Sequence, residues 1–478
     1  MTSATEDPVL VESAGATRTD RDSLGPVEIP ATAYYGAHAA RALENFPISG
    51  RPTHTIPELV IALAEVKKAA ALANGELGAL SAEKVPAIVQ ACEEIVAGRW
   101  HEEFVVDCIQ GGAGTSSNMN ANEVIANRAL ELLGHPLGAY DELHPLDDVN
   151  RSQSTNDVFP TALHIAAYRA TGRLLEAMSA LELAFEEKAA EFATVLTMAR
   201  TQLQDAVPMA LGQTFAGFAA GLATDRARVT TARENLAEIN LGGTAIGTQI
   251  NTPAGYTARV TELLREITGI ELRSADDMIN ATSDLGSFVE LSGALKRTAV
   301  KVSKISNDLR LMSSGPQTGL GDVQLPAMQA GSSIMPGKVN PVIPEVVSQV
   351  AFVVIGNDVT ISMAAEGGQL QLNAFEPVII AKLYESITQL TRAIRTLTER
   401  CVRGITADQE QLLGRVHRSV GLATALTPLI GYSAAATLAK EALATGASLV
   451  DLVLRDELAT AEQLEAALQA DRLARPHA

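Results

Sequence analysis

The sequence predicts a mainly α-helical protein, and two observations indicate this fold class. Five long stretches in the second half of the chain carry the apolar periodicity of a helix, whereas strand patterns are weak throughout. Aromatic residues make up only 4% of the chain and small residues abound, so helices can approach one another closely. The predicted helices cover residues 159–198, 213–240, 287–313, 344–366 and 376–402. Helices of this length are rods, and rods pack side by side as a bundle.

The chain is long enough for several domains. Its 478 residues, 47% of them hydrophobic, can bury a large core. The predicted division is 1–17 as a mobile N-terminal tail, 18–153 as an α-rich domain, 154–405 as the long-helix domain and 406–478 as a small helical domain. Helical patterns in the second segment start after Pro57 and at Pro86. In the last segment, sequences of the capping-box type at Thr406 and Thr460 predict helix starts.

Composition and charge exclude several classes of protein. A formal charge of −19 argues against binding to nucleic acid or to anionic membranes. No run of eighteen apolar residues and no basic, then apolar, N-terminus occurs, so we expect neither a membrane span nor a secretory signal. These observations predict a cytoplasmic protein. Cys92, Cys108 and Cys401 are far apart, and the histidines form no HExxH pair, so we expect buried thiols and no metal site.

The most informative stretch is residues 331–341, Gly-Ser-Ser-Ile-Met-Pro-Gly-Lys-Val-Asn-Pro. Its two glycines and two prolines prevent a regular helix or a central strand, so it is predicted to be a mobile loop. A phosphate-binding loop does not fit, because Gly331 and Gly337 are too far apart and Val339 stands where a magnesium-binding hydroxyl is needed. The remaining interpretation is a lid that brings a serine and a lysine over a small anion.

Three further polar stretches lie before or between the predicted rods. The glycine-rich residues 111–120 open a helix and could seat a carboxylate on backbone N–H groups, or could merely be a Ser/Thr-capped helix start. Residues 152–157 hold three hydroxyls and two amides that could bind a carboxylate and an amine, or only cap the first rod. Residues 201–206 could contribute to a site or form a helix-to-helix turn.

Taken together, these four stretches closely resemble the aspartase/fumarase superfamily, and the resemblance covers nearly the whole chain from residue 33 onward. The resemblance implies a three-domain fold and a homotetramer in which the long helices form a twenty-helix core. It also implies active sites that are each assembled from three subunits. Rigid rods hold the four loops apart within one chain, and symmetric association is a simple way to gather them.

The superfamily's chemistry is reversible elimination from a succinate-type substrate to give fumarate. Ser332 matches the family's general base, which would remove a carbon-bound proton as an alkoxide. Matching positions imply one group of residues for the β-carboxylate and its developing charge: Thr115, Ser154, Thr155 and Ser333. A second group is implied for the α-carboxylate, namely Lys338, Asn340 and Thr201, and a third for the amine, namely Asn156 and Gln202.

Details of the motifs resemble the ammonia-lyase branch of the superfamily more than the fumarases. Where fumarases resemble Gly-Ser-Gly-Thr and Thr-His-Leu-Gln, this chain has Gly-Ala-Gly-Thr at 112–115 and Thr-Gln-Leu-Gln at 201–204. The amide of Gln202 cannot titrate as a histidine can, so it can only orient a leaving group. The resemblance therefore implies L-aspartate as substrate, with fumarate and ammonia as products and no required metal or organic cofactor.

Alternatives to this interpretation stay open at the level of sequence. One is a class II fumarate hydratase, or a related lyase acting on another C4 substrate. Another is a lyase-like structural or binding protein, although the presence of Ser332, Lys338 and Asn340 argues against a lost active site. Three positions depart from the family pattern and could reshape the pocket or an accessory site: Ala39, Leu146 and Gln249.

Overall fold

A computed structural model describes residues 15–469 and 472–473 of the chain. Within these residues lie sixteen α-helices and six short β-strands, so the fold is mainly α, as predicted. The predicted tail at 1–17 falls largely on residues 1–14, which lie outside the described residues. The division into three domains stays a prediction.

Five helices have 25 or more residues, and the next longest helix has 20. They are α5 (Thr155–Glu191), α6 (Leu211–Asn235), α9 (Gly286–Met312), α10 (Val342–Glu366) and α11 (Glu376–Arg400). Helices before and between them are α1 (Ala37–Asn45), α2 (Pro57–Glu76), α3 (Val85–Val96), α4 (Thr115–Leu132), α7 (Tyr256–Thr268) and α8 (Met278–Ser283). After them come α12 (Gln409–Arg418), α13 (Leu422–Ile430), α14 (Tyr432–Thr445), α15 (Leu449–Arg455) and α16 (Ala461–Ala467).

The strands form three two-stranded sheets. The strands are β1 (Thr17–Asp22), β2 (Gly25–Pro30), β3 (Leu196–Thr201), β4 (Gln204–Ala210), β5 (Glu238–Ile239) and β6 (Arg273–Ser274). Strands β1 and β2 pair antiparallel, as do β3 and β4, whereas β5 and β6 are parallel.

Two of the predicted rods are too long at their C-terminal ends. The first was predicted to reach Met198, but α5 ends at Glu191 and β3 begins at Leu196. The second was predicted to reach Asn240, but α6 ends at Asn235 and β5 follows. In both cases apolar residues continue past the helix with a spacing that also fits a strand, and periodicity cannot separate the two over short runs.

The interpretation of residues 201–206 as a helix-to-helix turn is wrong. These residues form the tip and second strand of a hairpin in which Thr201 pairs with Gln204. Gln202 and Leu203 both have left-handed backbone, with φ of 53° and 64°. A two-residue turn of type I′ requires positive φ at both central positions, and it usually takes asparagine or glycine there, so the sequence signal was missing.

One of the two predicted capping boxes is confirmed. Thr460 accepts the backbone N–H of Gln463, and the Gln463 side chain accepts the backbone N–H of Thr460. The box at Thr406 is wrong, because α12 begins later and its cap is Asp408, whose side chain accepts the N–H of Gln411. An aspartate two residues inside the predicted box is an equally good acceptor for the orphan N–H groups.

The chain forms two compact units, and each long helix contributes residues to both. The first unit comprises the described residues that fall within 1–171, 232–292 and 357–385. In it α2 packs against α3 and α7, and α4 packs against α1 and α3. Most residues of α2 and α4 are buried, and both helices carry polar side chains into the interior of this unit. Such groups need partners, and this requirement organises the site described below.

The second unit comprises residues 172–231, 293–356 and 386–478. Its hydrophobic cluster joins the β3–β4 hairpin to the helices α12 to α16 through side chains such as Met198, Val416 and Leu426. The Ser419 hydroxyl also donates to the Asp205 carboxylate at 2.7 Å. The small C-terminal helices therefore support the hairpin directly.

Helix α10 is long and apolar enough to cross a membrane by length and composition alone. Its most apolar window has a mean hydropathy of 1.5, and 39% of that window is buried in the single chain. This is weak support for a membrane span, because the core helices of soluble proteins pass the same test.

A buried charge cluster ties the hairpin to the segment that leads into the lid. The carboxylate of Asp322 is nearly fully buried and is contacted by the guanidinium groups of Arg200 on β3 and Arg415 on α12. The Arg415 group also donates to the carbonyl of Leu320. Removing one member of such a cluster leaves the others buried without compensation.

We therefore expect Asp322→Asn to lower the free energy of unfolding by about 3 kcal/mol. Urea denaturation followed by circular dichroism, at one fixed protein concentration, measures this change. Asp308→Asn is the matched control, because Asp308 pairs with Lys304 on the exposed face of α9 and its loss should cost less than about 1 kcal/mol. Equal effects of the two substitutions would contradict the structural role of Asp322.

Candidate active site

The predicted site residues divide between the two units. Thr115, Ser154, Thr155 and Asn156 belong to the first unit, and Thr201, Gln202, Ser332, Ser333, Lys338 and Asn340 belong to the second. All ten are at least partly exposed in the single chain. Side chains that bind a substrate must be reachable from solvent, and the exposure of these ten residues meets that requirement.

Thr115 is the first residue of α4, and its position depends on a glycine. Gly114 precedes the helix with a left-handed φ of 85°, and an added Cβ there would lie 2.2 Å from a ring carbon of Phe159. The Ser/Thr-capped alternative is wrong at this helix start, because the N-cap residue is Gly114, which has no side chain. The Thr115 hydroxyl donates instead to the carbonyl of Gly112 at 2.6 Å. The N–H groups of Thr115 and Ser117 are already bonded, to the carbonyl of Gly112 at 2.9 Å and to Oε1 of Gln110 at 3.0 Å, so the start of α4 does not present a free row of backbone donors to a carboxylate.

Ser154 both caps α5 and remains available as a donor. Its Oγ accepts the backbone N–H of Asn156 at 3.2 Å, so the capping interpretation of this stretch holds. Its own N–H donates to Asp157 Oδ1 at 2.9 Å. A hydroxyl that accepts from the backbone still has its hydrogen to give, so capping and carboxylate binding are compatible.

Asn156 is held by a loop that follows β5. Its side-chain amide donates to the backbone carbonyl of Ala245 at 2.8 Å, and its backbone carbonyl accepts from the side-chain amide of Asn240 at 2.9 Å. The same loop is anchored on Asp157, whose Oδ2 accepts the N–H groups of Gly242 at 2.9 Å and Thr244 at 3.0 Å. The polar segment at 152–157 is thus held by the loop at 240–245, which was not predicted to contribute to the site.

A buried polar cluster that was not predicted from the sequence lies beneath this segment. It consists of Lys67 on α2, Asn118 and Asn122 on α4, and Asn150 and Gln153 before α5. Lys67 is 0% exposed, and burial lowers the pKa of its ammonium group to about 7. The sequence does contain one indication of this cluster: Lys67 lies on the same helical face as Leu63 and Ala70, where an apolar residue is expected.

Asp157 lies near this cluster and carries the opposite charge. Burial raises the pKa of its carboxyl group to about 6, while the three backbone N–H groups and the Lys67 ammonium oppose this shift. The pair therefore places two ionisable groups in the interior of the first unit. Buried charges persist when they have partners, and here the partners are the segments that carry the predicted site residues.

Thr201 and Gln202 lie at the exposed end of the β3–β4 hairpin. The left-handed backbone of Gln202 and Leu203 reverses the chain within two residues, so the Gln202 side chain projects from the tip. Non-glycine residues rarely adopt this conformation, and it tends to persist where the surroundings fix it. The hydrophobic cluster and the Asp322 contacts described above supply that support.

The lid, residues 331–341, is closed at its base by its own backbone. Gly331 donates its N–H to the carbonyl of Lys338 at 2.8 Å, and the Asn340 amide donates to the carbonyl of Gly331 at 2.8 Å. A Cβ at Gly331 would lie 2.4 Å from that Lys338 oxygen, so the closure requires glycine. At the turn, Ser332 Oγ accepts the N–H groups of Ile334 at 3.2 Å and Met335 at 3.1 Å.

The structure brings the predicted residues together in two sets. Ser154, Thr155 and Asn156 are consecutive, and Thr155 is bonded to Asn118 on the helix that begins at Thr115. Ser332, Ser333, Lys338 and Asn340 share the lid. No hydrogen bond joins the lid to the hairpin tip in the part of the chain that the structure describes. Over the same residues, no group of three or more His, Cys, Asp or Glu side chains could hold a metal ion.

Gln249, one of the departures from the family pattern, has a left-handed backbone with φ of 60°. This is the conformation that glycine adopts without strain, which explains why glycine is typical there. The Gln249 side chain accepts a hydrogen bond from the Thr257 hydroxyl at 3.1 Å. That bond holds the exposed loop whose carbonyl at Ala245 receives Asn156.

Gly114→Ala should reduce kcat/KM of the expected elimination reaction by about tenfold or more, because small displacements of a substrate-binding group are costly. The added methyl group would collide with Phe159 and shift Thr115. Gly134→Ala is the matched control, since Gly134 follows the other end of α4 with φ of 83° and has no atom near its missing Cβ. Steady-state kinetics measures both, and equal losses would show that backbone strain alone is responsible.

Comparisons with known proteins agree with this geometry. Residues 25–356 match the family described as lyase, and residues 422–475 match that described as fumarase C C-terminus. The chain is 54% identical over 468 residues to an aspartate ammonia-lyase of Pseudomonas fluorescens, covering 98% of each chain. A fumarate lyase:delta crystallin from Brucella melitensis, solved with cobalt bound, has a TM-score of 0.94 at 54% identity, covering 96% of this chain and 100% of that one.

A class II fumarase from Schistosoma mansoni shares the fold with a TM-score of 0.91, covering 97% of this chain and 100% of that one, but its identity is only 35%. The higher identity to an ammonia-lyase agrees with the motif differences at 112–115 and 201–204. The predicted family and the mainly α fold are therefore confirmed. The chain belongs to the aspartase/fumarase superfamily, in its aspartate ammonia-lyase family of carbon–nitrogen lyases.

Proposed function

We propose that this chain eliminates ammonia reversibly from L-aspartate to give fumarate, with Ser332 as the general base. The observation that carries the proposal is the pair of backbone N–H groups, from Ile334 and Met335, that donate to Ser332 Oγ. An unperturbed hydroxyl is far too weak an acid to be ionised near neutral pH. Two fixed donors stabilise negative charge on this oxygen, and their effect increases when a closing lid excludes water.

The reaction divides into proton removal and departure of the amine. Ser332 takes a proton from C3, and the electron pair of that bond passes into the neighbouring β-carboxylate as an aci-carboxylate dianion. Thr115, Ser154, Thr155 and Ser333 supply donors for this added charge. The electron pair then forms the C2–C3 double bond, and the amine leaves C2 as ammonia.

The remaining residues hold the parts of L-aspartate that do not gain charge. Lys338, Asn340 and Thr201 are assigned to the α-carboxylate. The Asn340 amide has two hydrogens and uses one on the Gly331 carbonyl, so one remains for the substrate. Asn156 and Gln202 orient the amine. Proton transfer and charge stabilisation by these groups suffice for the chemistry, so the proposal includes no cofactor.

Self-association would complete the site, and α10 offers a surface for it. Large apolar side chains are exposed along one face of this helix, including Phe352 at 64%, Val359 at 56% and Met363 at 69%. Their spacing of seven and four residues is typical of a helix-packing seam. A continuous apolar stripe of this kind supports a homotetramer built on the long helices. The proposal includes a cytoplasmic location, with which the formal charge of −19 is compatible.

Ser332→Ala should leave a folded protein in which kcat for L-aspartate falls by about 10²- to 10⁴-fold, because the group that receives the C3 proton is lost. Fumarate absorbance and released ammonia measure the reaction. The unmodified protein should form fumarate from L-aspartate much faster than from malate. Fast turnover of malate would instead favour the fumarate hydratase alternative.

Ser333→Ala is the control for this substitution. It removes a neighbouring hydroxyl that binds the substrate but does not take the proton, so its effect on kcat should be clearly smaller. A Ser332→Ala variant with near-normal turnover would remove Ser332 from the role of base. A correctly assembled but inactive unmodified protein would favour the structural or binding alternative.

Mixing two variants with impaired activity tests whether subunits share sites. If Ser332 and Thr155 of one site come from different subunits, hybrids of Ser332→Ala and Thr155→Val should regain up to about a quarter of normal activity by random assembly. Hybrids form by unfolding and refolding the variants together, and the fumarate assay reads the recovery.

The matched control mixes Ser332→Ala with Lys338→Ala. Both defects lie on the same lid, so every lid in a hybrid is defective and no activity should return. Recovery in the control, or its absence in the test mixture when both variants assemble, would contradict sites shared in this way.

A further inference from the structure

Behind Thr155 lies a chain of buried hydrogen bonds to which neither the family resemblance nor the proposed mechanism assigns a role. We propose that Lys67, Asn150 and Asn118 form a relay that orients the Thr155 hydroxyl as a hydrogen-bond donor to the substrate carboxylate. This inference rests on the function proposed above, in which Thr155 contacts that carboxylate. The three residues are positioning residues, because none of them is proposed to touch the substrate.

The relay starts at the Lys67 side chain, which is fully buried and donates in both of its hydrogen bonds. It donates to Asn150 Oδ1 at 2.8 Å and to Gln153 Oε1 at 2.9 Å. Each carboxamide must therefore present its oxygen, and not its NH₂ group, to Lys67. The orientation of Asn150 is thereby fixed.

Asn150 passes this constraint to α4. The same Oδ1 atom accepts from Asn118 Nδ2 at 3.2 Å and from Asn122 Nδ2 at 3.1 Å. An oxygen in this position requires an NH₂ group from each neighbour, because two carbonyl oxygens would repel each other at such a distance. The amide orientation of Asn118 thus follows from the ammonium two steps away.

The second N–H of Asn118 completes the relay. It donates to Thr155 Oγ1 at 3.1 Å, so the threonine oxygen is an acceptor in this bond. A hydroxyl has one hydrogen, and no described residue accepts it from Thr155. That hydrogen is free for a carboxylate oxygen. Were Asn118 reversed, its carbonyl oxygen would accept the Thr155 hydrogen and the substrate would lose this donor.

The orientation of Asn118 has a cost in the resting structure. Its Oδ1 atom is buried and has no hydrogen-bond partner among the described residues, although the side chain is only 1% exposed. Leaving a buried acceptor unpaired is unfavourable, and Asn122 Oδ1 is unpaired in the same way; the two amides share the bond to Asn150 Oδ1, which fixes both orientations. A bound cation near this oxygen is a poor alternative, because the Lys67 ammonium already occupies the neighbouring carboxamide.

A double-mutant cycle tests the relay. Asn118→Leu removes both donors with little change in volume, and Thr155→Val removes the hydroxyl that they orient. Each single change should lower kcat/KM for L-aspartate by about 10- to 100-fold, the effect of losing a hydrogen bond to a charged group. If Asn118 acts through Thr155, Asn118→Leu should cost less than about twofold once Thr155→Val is present.

Asn122→Leu is the matched control. Asn122 is equally buried on the same helix and donates to the same Asn150 oxygen, but it makes no bond to Thr155. Its effect on kcat/KM should therefore be additive with that of Thr155→Val. Thr155→Ser should keep the coupling to Asn118, because it retains the hydroxyl.

Further variants test the relay if the Asn118→Leu or Asn122→Leu protein does not fold. Asn118→Asp has the same shape but presents only acceptors, so it should turn the Thr155 hydrogen away from the substrate, whereas Asn122→Asp should not. Lys67→Met should show the same coupling to Thr155→Val as Asn118→Leu does. Lys68→Met, at an exposed pair with Glu93, should leave kcat/KM unchanged.

Three outcomes would overturn the relay. They are additive effects of Asn118→Leu and Thr155→Val, equal coupling for Asn122→Leu, and a Thr155→Val variant with unchanged kcat/KM. A failure of the proposed function is distinguishable, because the unmodified protein would then release no ammonia from L-aspartate. An active unmodified protein with an additive cycle would refute the relay alone.

Discussion

A buried ammonium group must be given acceptors, and this requirement at Lys67 organises the first unit of the structure. The acceptors come from Asn150 and Gln153, just before the longest helix begins. The segment that starts this helix is therefore tied to the centre of α2 by charge-assisted bonds, which are stronger than neutral ones. Asp157 ties the same segment to the loop at Gly242 and Thr244. Between these two anchors, Ser154 to Asn156 have little freedom, which is what a preorganised binding segment needs.

The second unit achieves rigidity differently, through backbone geometry. The hairpin tip reverses on two left-handed residues, and the lid closes on a glycine whose Cβ would collide with the facing carbonyl. In neither loop do the residues proposed to contact the substrate carry a buried charge. The buried charge in this unit is that of Asp322, which contacts Arg200 on β3 and Arg415 on α12. A loop built in this way can keep its shape while it moves as a body, as a lid must.

Much of the fold was readable from the sequence, and the errors have physical causes. Helix α9 was predicted to within one residue at each end, because its apolar stripe is regular. The end of α5 was misplaced, because the apolar residues of β3 continue the helical spacing. The hairpin escaped notice, because Gln202 and Leu203 are not typical turn residues. For the site, the lid motif identified Ser332, whereas Lys67 and Asn118 were missed, because a contact between distant segments leaves no local pattern.

The groups proposed to activate Ser332 therefore lie within one loop, whereas the groups proposed to bind the β-carboxylate depend on several helices. The donors that face Ser332 Oγ are neighbours within the lid, so any copy of this loop that keeps its turn also keeps them. The donors proposed for the β-carboxylate depend on α2, α4 and α5 together, because Thr155 receives its orientation from Asn118 and Asn118 from Asn150. A base that carries its own stabilising groups can be supplied by a separate moving loop. The residues proposed to bind the carboxylate, in contrast, are held in place by hydrogen bonds between separate segments of the first unit.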